Sequence, residues 1–147
     1  MSLFGAMAVS ASALAAERLR MELVAENLAN VHTTRTPAGG PYRRKIVAFA
    51  QEGSGFAPLL ARRLAAGRDE PAGRVRAVGI YEDPAPFKRI YDPSHPDAGP
   101  DGYVLLPNVD VTEEMVNLIA AVRAYEANVT AFNVGKTLVQ TALQIGQ

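Results

Sequence analysis

Three groups of side chains in this 147-residue chain have types that could do chemistry. Asp92, Asp97 and Asp101 share one turn-rich stretch and offer carboxylates to a hard cation. Their spacing misses that of a helix–loop–helix calcium site, which takes oxygens at alternate early positions and a glutamate at the loop's end. His32 and His95 are the candidates for a general base or a ligand pair. Neither has a positioned nucleophile or a third ligand, and both lie in turn-like contexts. Arg43-Arg44-Lys45 is the triplet that would meet phosphate. Fifteen basic and fifteen acidic residues cancel overall, so no global field draws the chain to nucleic acid, and the triplet reads as the solvated basic face of a strand. Gly39-Gly40 before Pro41 lacks a phosphate-loop pattern and a following helix, so it marks a turn. The absence of cysteine excludes disulfides, thiolate metal sites and a thiol nucleophile. The expectation is no catalysis, no metal, no cofactor and no small-molecule substrate.

The elements that would position these groups are unevenly distributed. All ten prolines lie between Pro37 and Pro107, with nine of the twelve glycines. Helix breakers are thus confined to the middle. The chain divides into an N-terminal helix over 1–31, a central β-rich region over 32–107, and a C-terminal helix over 108–147. Eleven basic and eight acidic residues make the middle positive, and both flanks are acidic.

Leu3, Met7, Ser10, Leu14, Glu17, Met21, Val24, Leu28 and Val31 follow alternating steps of four and three, with Ser10 and Glu17 as polar exceptions. Met115, Leu118, Val122, Tyr125, Val129, Phe132, Lys136, Val139 and Leu143 keep a second such register. That period suits helices that wrap around each other. Asp110 with Glu113 predicts a capping box, and the second helix would run roughly 50 Å. Strands are expected over 42–49, 75–81, 87–91 and 103–106, separated by the Pro-rich turns 83–86 and 92–96. Segment 51–73 has no firm period and reads as a long mobile loop. The fold class is α+β: two terminal helices paired as a coiled-coil-like hairpin, with a small β-rich region and long loops. Alanine is dense on both helices, which allows close approach and also favours helix.

Two functional readings follow. The hairpin could close on itself as a monomeric binding module, or its stripes could be partly buried by neighbouring chains. The apolar start, with Ala13-Leu14-Ala15, imitates a signal-peptidase site, but the first basic residue, Arg18, comes after it. A cleavable signal needs its positive charge first. No apolar run reaches the length of about 18 residues that a membrane span requires.

The most specific stretch is Ala25-Glu26-Asn27-Leu28-Ala29-Asn30. Asparagine is a poor helix-interior residue. Asn30 is expected to end the helix in the left-handed conformation. Asn27 and Asn30 share a face and are placed to bond an adjoining helix or loop. Asn-Leu-Ala-Asn followed by threonines, near the end of an N-terminal helix, resembles the signature of bacterial flagellar axial proteins of the rod and hook. The resemblance continues through Asn30–Pro37, Gly39–Lys45, Gly79–Pro84, Tyr91–Asp97, Gly102–Val104, Pro107–Val111 and Arg123–Asn128. Segment 51–73 carries no such signature, and His32 is a minor departure from the family pattern.

This resemblance implies a structural subunit of the proximal rod, the driveshaft that crosses the periplasm. Its partners would be other flagellar rod proteins and copies of itself, with the membrane-embedded ring as a further candidate contact. Export would use the flagellar type III apparatus, with no cleaved signal peptide. The helix seams Leu3, Met7, Leu14, Met21, Val24 and Leu28, and Met115, Leu118, Val122, Tyr125, Val129, Phe132, Val139 and Leu143, would be the assembly interface. Asn27, Leu28, Ala29 and Asn30 form the family motif, and the polar residues Asn27, Asn30 and Asn128 would fix register between chains.

Overall fold

A computed structural model describes residues 3–52 and 73–145. Helix α1 spans Leu3–Ala29 and helix α2 spans Val111–Ile145. Strands β1 (Lys45–Gln51) and β2 (Val75–Glu82) form one antiparallel pair, and β3 (Lys88–Tyr91) and β4 (Tyr103–Leu106) form another. The architecture is α+β, with two terminal helices and a small β region of two separate two-stranded sheets. Of the expected 51–73 loop, all but Gln51, Glu52 and Gly73 lies outside the described residues. Gln51 is the last residue of β1, opposite Val75, and Glu52 N–H donates to Arg74 O at 2.7 Å.

α1 is the central element. It packs on α2 and on both strands of the first sheet, where Ser12 Oγ accepts from Val75 N–H at 3.1 Å. α2 packs on α1 alone among these elements. The helices run antiparallel. Asn27 of α1 meets Glu114 of α2 near the β region, and Met7 lies over Gly135 at the other end. These two contacts are about 30 Å apart along either helix, so the pairing holds one register throughout. A Cβ on residue 135 would stand 2.9 Å from Met7 Cγ, which is why glycine belongs there. At that register the last turns of α2 run past Leu3, and Leu143 and Ile145 are correspondingly exposed.

Each helix junction is capped by side chains. Asp110 Oδ1 accepts the N–H groups of Thr112 at 2.9 Å and Glu113 at 3.3 Å, which satisfies donors of the first α2 turn. The reciprocal half of the expected capping box is replaced, because the Glu113 carboxylate pairs with Arg44. At the end of α1, Asn30 departs from the expected left-handed cap: no described non-glycine residue has positive φ. Its Nδ2 donates back to Glu26 O at 2.9 Å and its Oδ1 accepts from Thr33 Oγ1 at 3.1 Å. The amide side chain ends the helix, so the backbone need not turn left-handed.

The second sheet is joined to the rest through its flanks. Arg43 stacks on Phe87 at 4.3 Å and donates to Asp83 O and Ala85 O. Lys88 Nζ donates to Val109 O at 2.8 Å, and Thr34 Oγ1 to Asp97 Oδ2 at 2.7 Å. Gly102, at φ 73°, closes the turn into β4, and a Cβ there would meet Tyr91 Cε2 at 2.8 Å. Apolar burial is modest: Ala16, Leu23, Val24, Tyr42, Val104, Val109 and Ala121 form the core.

The cap makes the start of α2 pH-sensitive. The N–H groups of Glu113 and Thr112, with Lys88 nearby, hold the Asp110 carboxyl below its ordinary value. A depressed folded-state pKa stabilises fully above the ordinary carboxylate range and is lost as pH falls through the lowered value. Acid titration of α2 amide exchange should show first-turn protection falling in that window. Asp110→Asn, which caps without titrating, should have a shallower acid limb, and an unchanged limb would refute the assignment.

Candidate assembly surface

The buried positions of α2 are Glu114, Ala121 and Gly135. Leu118, Tyr125, Asn128, Phe132 and Val139 are half-buried between them. The seam against α1 therefore alternates large and small: Glu114, Leu118, Ala121, Tyr125, Asn128, Phe132, Gly135, Val139. Leu118, Tyr125, Phe132 and Val139 sit where the apolar period placed them. The other half of the expected stripe does not. Met115 is 53% exposed, Val122 38% and Leu143 67%; Val129 alone of this half is half-buried, like the seam residues. For Met115 and Val122 the reason is backbone approach; Leu143 lies on the turns that run past α1. Ala121 and Gly135 allow α1 close to α2, whereas the bulkier line one residue on is turned outward.

On α1, Val24 is buried, and Met7, Leu14, Met21 and Leu28 are half-buried. Leu3 and Ala29 are exposed. Gly5, Ala16, Leu23 and Asn27 are buried as well, because this helix is covered from two sides. The outward face of α2 carries Val111, Met115, Val116, Ile119 and Val122 along its first half and Val134 and Leu138 along its second, while Leu143 and Ile145 are exposed on the turns that run past α1. Phe4 adds to this exposed apolar surface at the start of α1. Ile46, Val78, Ile80, Ile90 and Leu105 of the strands are exposed as well.

At the junction end lies a buried polar node. Asn27 is 1% exposed and uses its full bonding capacity. Its Nδ2 donates to Lys45 O and to Glu114 Oε2, both at 2.9 Å. Its Oδ1 accepts from Lys45 N–H and from Tyr42 Oη–H, both at 2.9 Å. Glu114, also 1% exposed, takes Arg44 Nε on its other oxygen at 2.8 Å. Arg44 reaches Glu113 through Nη2 at 2.8 Å and Asp83 through Nη1 at 3.3 Å. Its backbone N–H donates to Asn108 Oδ1 at 2.8 Å, and Asn108 Nδ2 donates to Asp83 O and Ala85 O. Lys45 Nζ pairs with Glu26 beside the node.

Burial lowers the Arg44 pKa, but hydrogen bonds and charge from Glu114 and Glu113 outweigh it, so the guanidinium is held more firmly charged than usual. Burial, with the charges of Glu26 and Glu114, pushes the Tyr42 phenol up to about 12. Arg43-Arg44-Lys45 is thus no solvated basic face. Arg44 bridges three carboxylates and Arg43 clamps the 83–85 turn. Asn27 takes all its partners within this chain, Asn30 bonds Glu26 O and Thr33, and Asn128 Nδ2 bonds its own helix at Ala124 O. Tyr42, Arg44, Asn108 and Glu114 carry the node, yet along the chain Arg44 is only one member of a basic triplet, Tyr42 and Asn108 only members of the family-like stretches, and Glu114 only an acid favourably placed in a first helical turn.

The remaining candidates have local roles. Asp92 accepts from Ser94, Asp97 from Thr34, and Asp101 pairs with Arg89. His95 Nδ1 accepts from Asp97 N–H at 3.0 Å. Among the described residues no three of these groups stand close enough to share a metal ion.

Two family models match the chain. Residues 7–35 fit the flagella basal body rod protein family, and residues 101–145 fit the C-terminal family of flagellar basal body rod FlgEFG proteins. The flagellar basal-body rod protein FlgC of Bacillus subtilis is 44% identical, with all of both chains covered. The FlgC of Borreliella burgdorferi is 43% identical over all of this chain and 99% of its own. The FlgC of Salmonella typhimurium is 37% identical over the whole of both.

The node yields two expectations. Asn27→Ala should lower urea-unfolding stability by about 1–3 kcal/mol, because buried Lys45 and Glu114 groups lose partners. Asn27→Asp should be worse, since it sets a second carboxylate beside Glu114. Equal or smaller loss for Asp would contradict the geometry. For Tyr42 the raised folded-state pKa means its contribution is intact below the ordinary phenol value of 10.0 and lost as pH rises through about 12. A phenolate absorbance titration should show one late-ionising tyrosine, absent in Tyr42→Phe.

Proposed function

This chain belongs to the FlgC family of flagellar basal-body rod proteins, and from that membership we propose that it is a structural subunit of the rod which uses the outward face of α2 to bind its neighbours. The observation that carries this reading is the run of exposed Val111, Met115, Val116, Ile119 and Val122 on a helix already paired through its opposite face. A helix apolar on more than one side is built to be covered on more than one side. Leu118, Tyr125, Phe132 and Val139 hold the hairpin together. Leu3, Met115, Val122 and Leu143 face neighbouring chains, while Met7, Leu14, Met21, Val24 and Leu28 line α1. In this division, 1–31 and 108–147 form the helical layer of the rod, and 32–107 lies outside it.

The neighbours are copies of this chain and other rod proteins, joined by contacts that repeat without closing. Close helix packing keeps such a layer stiff under torque. The subunit reaches the rod through the flagellar type III export apparatus with its N-terminal region uncleaved, and the rod crosses the periplasm. A monomeric binding module is not favoured, because similarity to rod proteins runs the length of the chain. The related proteins are flagellar basal-body rod proteins, and Asp92, Asp97, Asp101 and His95 of this chain are engaged in local contacts.

Val122→Asp tests the surface. Val122 lies outside the hairpin seam, so the isolated variant should keep its helix content. Placing an unpaired charge in a buried inter-chain contact is expected to cost several kcal/mol and abolish rod assembly and motility. A motile strain carrying Val122→Asp would overturn the proposed surface. Intact-mass analysis of purified basal bodies should find this chain with residues 2–16 retained; a form trimmed after Ala15 would overturn uncleaved export.

A further inference from the structure

We propose that Glu114 is a conditional lock: its buried carboxylate opposes pairing of α1 with α2 until the folded middle of the chain delivers Arg44 to it. The node's geometry carries this lock whether or not the chain is a rod subunit.

A glutamate at 1% exposure in a helix–helix seam is unfavourable unless its charge is met. α1 supplies Glu114 with one neutral donor, Asn27 Nδ2. The cation comes from outside the hairpin. Arg44 precedes β1, and its place depends on the middle being folded. Its carbonyl accepts from Asp83 N–H at 2.8 Å, next to the Lys45–Glu82 end of the first sheet. Its N–H is held by Asn108, which is tied in turn to the 83–85 turn. Arg43 fastens that same turn from the other side.

The dependence runs one way. Without Arg44, Glu114 is a buried carboxylate with a single amide donor. Without Glu114, Arg44 keeps Glu113 and Asp83, both more exposed than Glu114. An ordinary salt bridge would make both deletions comparably harmful. A lock makes loss of Arg44 severe and loss of Glu114 mild. It also makes removal of Glu114 a rescue for loss of Arg44. The consequence is that a chain with an unfolded middle presents unpaired helices, and only a chain with a folded middle presents the hairpin and its outward face.

The test is amide exchange on the full-length chain, read at residues 20–28 and 114–121. The wild type should protect these amides more than residues 138–145 at the free end of α2. Arg44→Met should speed their exchange by on the order of a hundredfold, the scale for leaving a buried carboxylate unpaired. Glu114→Met, close in shape, should stay within about tenfold of wild type, and Arg44→Met/Glu114→Met should recover most of the lost protection. Survival of the first sheet in every variant would be read from exchange at residues 46–50. The lock is overturned if the double variant exchanges as fast as Arg44→Met, if Glu114→Met is as damaging as Arg44→Met, or if wild type shows no extra protection at the junction.

Discussion

The carboxylate of Glu114 sits in the helix seam with almost no access to water, and the architecture around it is what makes that tolerable. Asn27 meets one oxygen and Arg44 the other. Because Arg44 also bonds Asp83 and Glu113, and its backbone is held by Asn108, one buried charge ties together α1, α2, the approach to β1 and the 83–85 turn. Tyr42 and Lys45 complete the shell through Asn27. Buried polar groups of this kind add little net stability over an apolar core, but they penalise every arrangement in which a partner is missing. Here they define how the helical hairpin is set against the β region.

Among the described residues, apolar burial away from the node is modest. α2 has one packed face, and its last turns run past the start of α1. Ala121 and Gly135 take fully buried seam positions, while Met115, Ile119 and Leu138 lie outward and Leu118 is only half-buried. That inverts the usual order of a monomeric core, in which the largest apolar groups are buried first. The node sets the internal geometry, and the outward face of α2 is the surface proposed for contact with the next chain.

Both helices, the four strand positions and the confinement of turns to the middle were legible from periodicity and from the placement of proline and glycine, because these are local properties of the backbone. The apolar period also gave the helical face to within one residue. It missed the true seam because a pattern weighs side chains by hydrophobicity. A seam is chosen by how closely two backbones can approach, and Ala121 and Gly135 matter there for the volume they lack. The two asparagines stood out as misfits in a helix, yet their partners could not be read, since Asn27 and Glu114 are 87 residues apart.

The sequence alone determined the α+β class, the two long terminal helices and the family, since turn chemistry, heptad spacing and motif order are written along the chain. The tertiary structure alone decided which line of α2 is buried, turned Arg44 from an apparent surface cation into the counter-ion of a buried carboxylate, and left Met115, Val122 and Leu143 outside. Those outcomes depend on which distant residues meet and how close their backbones come.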